Sequence, residues 1–407
     1  MEMPFLEQNR SIFKLSPDKP LQAEQKKLKN RLDAFLCSNK DKNHACFIIY
    51  GDAGTGKSVF LNRVFMELQQ HARADSQHPL FGLNNALLVN HPEMLKAYKN
   101  AAESIPTLKK KDYERPTTFI NQHHKTGNIA DIVFVDEAHL LLTGPDRYNH
   151  FFQDNHLEEI MQIARLVVLV FDEKQVLKAK SCWEQKMLNE LLQDYPVETF
   201  TLQRQFRMNV AKQHAEWIEQ FCQGKLRPIP LSTERFELRP YSSAQQMYED
   251  IQQHNQYRGL SRMLATYDYP YRLDGHDYFI IEGDFCLRWD RAKPHAKDPW
   301  AEREDTIEEV GSVYTIQGFD LNYVGLILGP SVTWDEASQQ IVLHPDKYED
   351  KAAFNGLGAR DDAQEIKQKL MWNSINVLMT RAINGLYIYA HDPVLRQKLT
   401  QAKIQAG

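Results

Sequence analysis

Residues 47–60 read FIIYGDAGTGKSVF, and this stretch restricts the fold more than any other part of the 407-residue chain. Gly51 and Gly56 stand five apart ahead of Lys57-Ser58, with Gly54 between them. Glycines spaced this way let a backbone turn sharply and bring its N–H groups up to phosphate oxygens. The apolar, β-rich run CFIIY precedes the loop, and SVFLNRVFMELQQ, with helical spacing, follows it. Strand, loop, helix is the order that turns the positive end of a helix toward an anion. The predicted phosphate cradle is Gly51, Asp52, Ala53, Gly54, Thr55, Gly56, Lys57, Ser58 and Val59. Lys57 is expected to reach the β and γ phosphates and the Ser58 hydroxyl to ligate magnesium.

A second signature supports the first. DIVFVDEAH is an apolar strand that ends in Asp136-Glu137. Beside a phosphate loop, the first acid suits magnesium and the second suits the water that attacks the γ-phosphate. ATP, or another nucleoside triphosphate, with Mg2+ is the expected cofactor pair.

Strand and helix patterns alternate from about residue 25 to 200, with strands expected at 46–50, 86–90, 131–136, 165–172 and 198–202. A second α/β pattern has strands expected near 262–266, 278–282, 311–315, 324–328 and 386–390. Alternation of this kind predicts parallel sheets wrapped by helices. The stretch 222–240 is richer in proline and polar residues and reads as a connection. The resulting division is a lead-in at 1–24, a first domain at 25–205, a linking region at 206–240 and a second domain at 241–407.

Composition narrows the setting. Hydrophobic residues make up 42% and charged residues 25%, which describes a globular protein. The longest apolar runs, such as LVVLVF at 166–171, are far too short to span a membrane. Five scattered cysteines suit neither a metal site nor a disulfide framework, so a reducing cytoplasm is expected. The formal net charge of −5 counts mildly against a nucleic-acid binder, although affinity follows the local field rather than the total.

Four further stretches carry a resemblance. LVFDEKQ holds Asp172 and Gln175; LQRQFRM holds Gln205, Phe206 and Arg207; VYTIQGFDLNYVGLILG holds Thr315, Gln317, Gly318 and Asp320; NSINVLMTRAINGLYIYA holds Thr380 and Arg381. In this order they resemble motifs III to VI of superfamily-one helicases, with the phosphate loop and DEAH as motifs I and II. Within that superfamily the wording is similar to the helicase-type domain grouped with Schlafen proteins. Two departures stand out: Phe171 where motif III usually begins with glycine, and Phe206 where better-studied members carry tyrosine.

The resemblance implies two tandem RecA-like P-loop domains, α/β with parallel sheets, and a nucleotide cleft between them. It assigns Gln175 to sensing the γ-phosphate, and Arg207 and Arg381 to arginine fingers. Phe206 would stack on the base and Asp320 would accept from a ribose hydroxyl, with Gln317 and Gly318 beside it. Gln22 or Gln25 would read the adenine edge. The implied activity is an ATP-dependent translocase or helicase on single-stranded DNA or RNA. The alternative is a switch ATPase read by a protein partner, such as a nuclease or defence-system subunit.

Expected polynucleotide contacts are Asn90, His91, Thr118, Phe119, Asn121, His123 and Thr315. Residues 287–300 interleave Trp289 and Trp300 with Arg288, Arg291, Lys293 and Lys297, a pattern suited to stacking on bases and neutralising phosphates. The same stretch also reads as a surface loop whose tryptophans pin it to the core.

Overall fold

A computed structural model describes residues 10, 15, 20–42, 44–51, 54–172, 175–181, 183, 185–202, 212–272, 274–290, 293, 295–358 and 360–402. Two compact units are distinguished, Ser11–Val176 with Lys180–Gln205, and Met1–Arg10 with Leu177–Ala179 and Phe206–Gly407.

The phosphate-loop unit contains β1 (Ala45–Gly51), β2 (Asn85–Val89), β3 (Tyr113–Glu114), β4 (Ala130–Asp136), β5 (Ala164–Phe171) and β6 (Val197–Leu202). They form one parallel sheet in the order β3-β2-β4-β5-β1-β6. The middle strands are apolar at nearly every position because helices cover both faces of a parallel sheet. β5 lies between the strand that feeds the phosphate loop and the strand that ends in Asp136, pairing Leu169 with both Ile48 and Val135. The carboxyl ends of β1, β4 and β5 therefore meet at one edge of the sheet, where open α/β sheets bind ligands. Phe65, on the helix Lys57–Ala74, packs edge-on to Tyr113 and Phe134 at centroid distances of 5.4 and 5.7 Å.

The other unit holds β7 (Glu237–Pro240), β8 (Ser261–Ala265), β9 (Tyr278–Glu282), β10 (Phe285–Trp289), β11 (Glu309–Gly311), β12 (Leu321–Leu328), β13 (Val332–Asp335), β14 (Gln340–Leu343) and β15 (Ala382–Ala390). Seven of them make a sheet in the order β7-β15-β12-β8-β11-β10-β9, and β13 with β14 forms a separate hairpin. This sheet is mixed, which corrects the expectation of a purely parallel one. β9 and β10 run antiparallel because only Gly283-Asp284 joins them, too short for a crossover. Gly283, at φ 63°, supplies the left-handed backbone of that turn.

Two further corrections are local. The connection expected over 222–240 ends in β7, an edge strand that tolerates Pro240. The strand expected at 311–315 is β11, ending at Gly311, followed by the helical turn Val313–Ile316. Ser312 caps that turn, so the chain leaves the sheet there. Among the described residues, no helix is long and apolar enough to cross a membrane.

Candidate functional site

The site is built at the carboxyl edge of the phosphate-loop sheet. A Cβ on Gly51 would lie 2.8 Å from the Thr55 hydroxyl and 3.1 Å from the Leu202 carbonyl oxygen, so the loop closes only over glycine. Gly54 and Gly56 have φ of 84° and 77°. Lys57, Ser58 and Val59 open the helix that follows. Asp52 and Ala53 lie outside the described residues.

Lys57 is 6% exposed in its side chain, and Nζ donates to the Gly51 carbonyl at 2.6 Å. It also pairs with Asp172 Oδ2 at 3.2 Å, just beyond the end of β5. The Gln175 amide donates to that same oxygen at 2.6 Å. Burial alone would raise the Asp172 pKa. The charges of Lys57 and His139 and the hydrogen bonds from Gln175 and Lys57 outweigh it, and the carboxyl sits below its ordinary value.

Asp136 is fully buried and its Oδ2 accepts from the Tyr98 hydroxyl at 2.6 Å. Burial and the neighbouring Glu137 push its pKa up to about 6, against the Tyr98 and Ser58 hydroxyls, which favour the ionised form. Asp136 Oδ1 has no hydrogen-bond partner among the described residues. A buried carboxylate oxygen left open beside the Ser58 hydroxyl fits a hard divalent cation. Among the described residues, no three or more His, Cys, Asp or Glu side chains are grouped to hold a metal by themselves. One carboxylate and one hydroxyl, completed by water and substrate phosphates, is a donor set of the kind magnesium takes.

Glu137 adopts the left-handed region at φ 50°, a backbone conformation unusual for glutamate and concentrated at functional positions. His139 Nε2 stands 3.3 Å from Glu137 Oε2, and its ring meets Phe171 edge-on.

Tyr98, His139 and Asp172 thus join the site without having been assigned to it from sequence. Only His139 and Asp172 lay within recognised motifs. Gln25 is buried, and its amide oxygen accepts from the Gln22 backbone N–H as a cap on the helix Ala23–Asn39, which packs on β1 and β6.

In the other unit, Ser312 and Thr315 bind each other's backbone in a capping box, so the Thr315 hydroxyl is engaged locally. Gln317 is buried, Gly318 turns at φ 86° and Asp320 is half-buried just before β12. Arg381 is fully buried, with Nε donating to the Val377 carbonyl at 2.9 Å. Gln205, Phe206, Arg207 and Arg291 lie outside the described residues.

Several expected polynucleotide contacts prove structural. Trp289 is 0% exposed, donating Nε1–H to the Tyr269 carbonyl, and Trp300 is 2% exposed, donating to Glu309. Neither offers a face to a base; the tryptophans pin this stretch to the core. Phe119 is 3% exposed and belongs to the core of its unit. His91 is buried and caps the helix Pro92–Ala102 through Met94 N–H. Asn90 donates to the Leu140 carbonyl at 2.6 Å. Thr118 and Asn121 are exposed on the helix Pro116–Thr126. His123 is half-buried there, and its Nδ1 contacts the Asn128 carbonyl.

Comparison with known proteins places this geometry in a family. The Schlafen group 3, DNA/RNA helicase domain family matches residues 44–392, and the chain belongs to it. An uncharacterised protein of Saccharomyces cerevisiae, YPL245W, is 43% identical over 409 residues, covering 93% of this chain and 90% of that protein. Among solved structures, the Pif1 helicase from Candida albicans aligns over 94% of this chain and 97% of its own, at 11% identity and a TM-score of 0.37. AMPPCP-bound DnaA from Aquifex aeolicus aligns over 54% of this chain and 58% of its own, at 16% identity and a TM-score of 0.26.

Proposed function

We propose that the chain is an ATPase that hydrolyses ATP on binding single-stranded DNA or RNA and uses the cycle to move along the strand. The observation that supports this most is the meeting of Lys57, Ser58, Asp136, Asp172 and Gln175 at one sheet edge, in a member of a DNA/RNA helicase-domain family.

In this reading the backbone of 51–58 and the Lys57 ammonium bind the β and γ phosphates. Ser58 and Asp136 would hold magnesium, which would supply positive charge to the phosphate oxygens. Glu137 orients or deprotonates the attacking water, and Gln175 senses the γ-phosphate. Arg207 and Arg381 act as arginine fingers, each worth ~10³–10⁵ in rate. Phe206 stacks on the base and Asp320 accepts from the ribose. Two RecA-like domains supply these two sets of groups, and their closing and opening alternates the grip on the strand.

Two substitutions test the chemistry. Lys57→Ala is expected to abolish nucleotide binding or turnover. Glu137→Gln is expected to retain ATP and stop hydrolysis, measured by nucleotide retention and phosphate release. Appreciable turnover by Glu137→Gln puts the base elsewhere.

A further inference from the structure

The phosphate-binding lysine already holds an anion. Lys57 Nζ lies between the Gly51 carbonyl at 2.6 Å and Asp172 Oδ2 at 3.2 Å, with side-chain exposures of 6% and 1% for the ion pair. Gln175, the residue expected to sense the γ-phosphate, gives its amide to the same carboxylate oxygen. One oxygen thus engages both side chains that the reaction needs on phosphate.

We propose that Asp172 is an internal stand-in for the phosphates: it neutralises Lys57 and holds Gln175 while the loop is empty, and gives both up when nucleotide enters. The inference rests on the nucleotide reading above and adds a positioning residue to it.

The physical reason is the cost of an isolated buried charge. An ammonium at 6% exposure without a counterion would be strongly unfavourable, and removing one partner of a buried pair leaves that penalty unpaid. Asp172 answers it before the nucleotide arrives. The consequence is competition, because phosphate gains Lys57 only by displacing a carboxylate. The charge of His139, which also favours the ionised Asp172, stays beside it once Lys57 and Gln175 have turned away. The side chain can therefore release the lysine without being left as a bare buried anion.

Asp172→Asn keeps the shape and an acceptor oxygen but removes the competing charge. Full-length wild type and Asp172→Asn are titrated with a fluorescent ATP analogue and, by displacement, with inorganic tripolyphosphate, which carries no base. Both ligands are expected to bind the variant roughly tenfold more tightly, about 1.4 kcal/mol by the affinity relation. Equal or weaker binding by the variant, with wild type binding normally, overturns the proposal. Wild type that binds neither ligand refutes the nucleotide reading instead.

A double-mutant cycle on nucleotide-free protein, Lys57→Ala against Asp172→Asn read by urea unfolding, checks the pair independently. The double variant is expected to lose less stability than the sum of the singles; additive losses overturn the pairing. Asp172→Ser replaces Asp172→Asn in both assays, with the same expected signs, should the asparagine variant fail to fold.

Discussion

Asp136 shows how a single residue is tuned by neighbours that sequence does not announce. Its Oδ2 is held by the Tyr98 hydroxyl, from a helix 38 positions earlier in the chain. In the proposed function Asp136 is a metal ligand, and groups that orient such a ligand are commonly worth 10–100-fold in metal affinity. Tyr98→Phe is therefore expected to raise the Mg2+ concentration for half-maximal turnover about tenfold or more. It should also lower unfolding free energy by about 1–2 kcal/mol, through a buried oxygen left without its donor. Turnover and stability both equal to wild type would show that the hydroxyl is incidental. The phosphate loop and the acid pair were legible in sequence because their chemistry is local: glycines at fixed spacing, acids at a strand end. Tyr98 was not legible, since its helix belongs to the crossover from β2 to β3 and only the pairing of β2 with β4 brings it to Asp136. His139 stood in plain view in DEAH, but its work depends on Glu137, Phe171 and Asp172 around its ring.

At the level of elements, short helices and strands are fixed by caps and by buried polar contacts. The helix His156–Ile163 starts on Asn155, whose side chain accepts from Leu157 and Glu158 N–H. His156 is buried, accepts from Leu142 N–H at 3.0 Å and meets the Thr117 hydroxyl at 3.0 Å. Burial, with the charge of Arg115 nearby, lowers its pKa to about 3. A histidine with a depressed folded pKa binds fewer protons than the unfolded chain between that value and about 6.5. Its stabilisation is present in full above pH 6.5 and is lost as pH falls through that window. The stability advantage of wild type over His156→Gln is thus expected to shrink below pH 6.5, by up to about 1.4 kcal/mol per pH unit. A gap constant from pH 7 to pH 4 in denaturant melts contradicts this. The strands missed from sequence, β3, β7, β10, β13 and β14, have two to five residues each, and a run that short gives only a weak period. Of the two readings given for the tryptophans of 287–300, base stacking followed from the basic neighbours, whereas Trp289 stands on β10 with its ring buried.

For the whole molecule, the two units carry different halves of the proposed machinery. One contains Lys57, Ser58, Asp136, Glu137 and Gln175; the other contains Asp320, Arg381 and, in the residues assigned to it, Arg207. A formal charge of −5 gives no general attraction for polynucleotide, so stimulation has to come from a localised surface. Exposed Thr118 and Asn121 remain candidates for it. The most direct test of the central claim is steady-state ATP hydrolysis by the intact chain, alone and with single- or double-stranded DNA and RNA. The account predicts a low basal rate that Lys57→Ala abolishes and that at least one single-stranded polynucleotide raises several-fold. A rate indifferent to every polynucleotide would contradict it and direct attention to a protein that reads the ATP state instead.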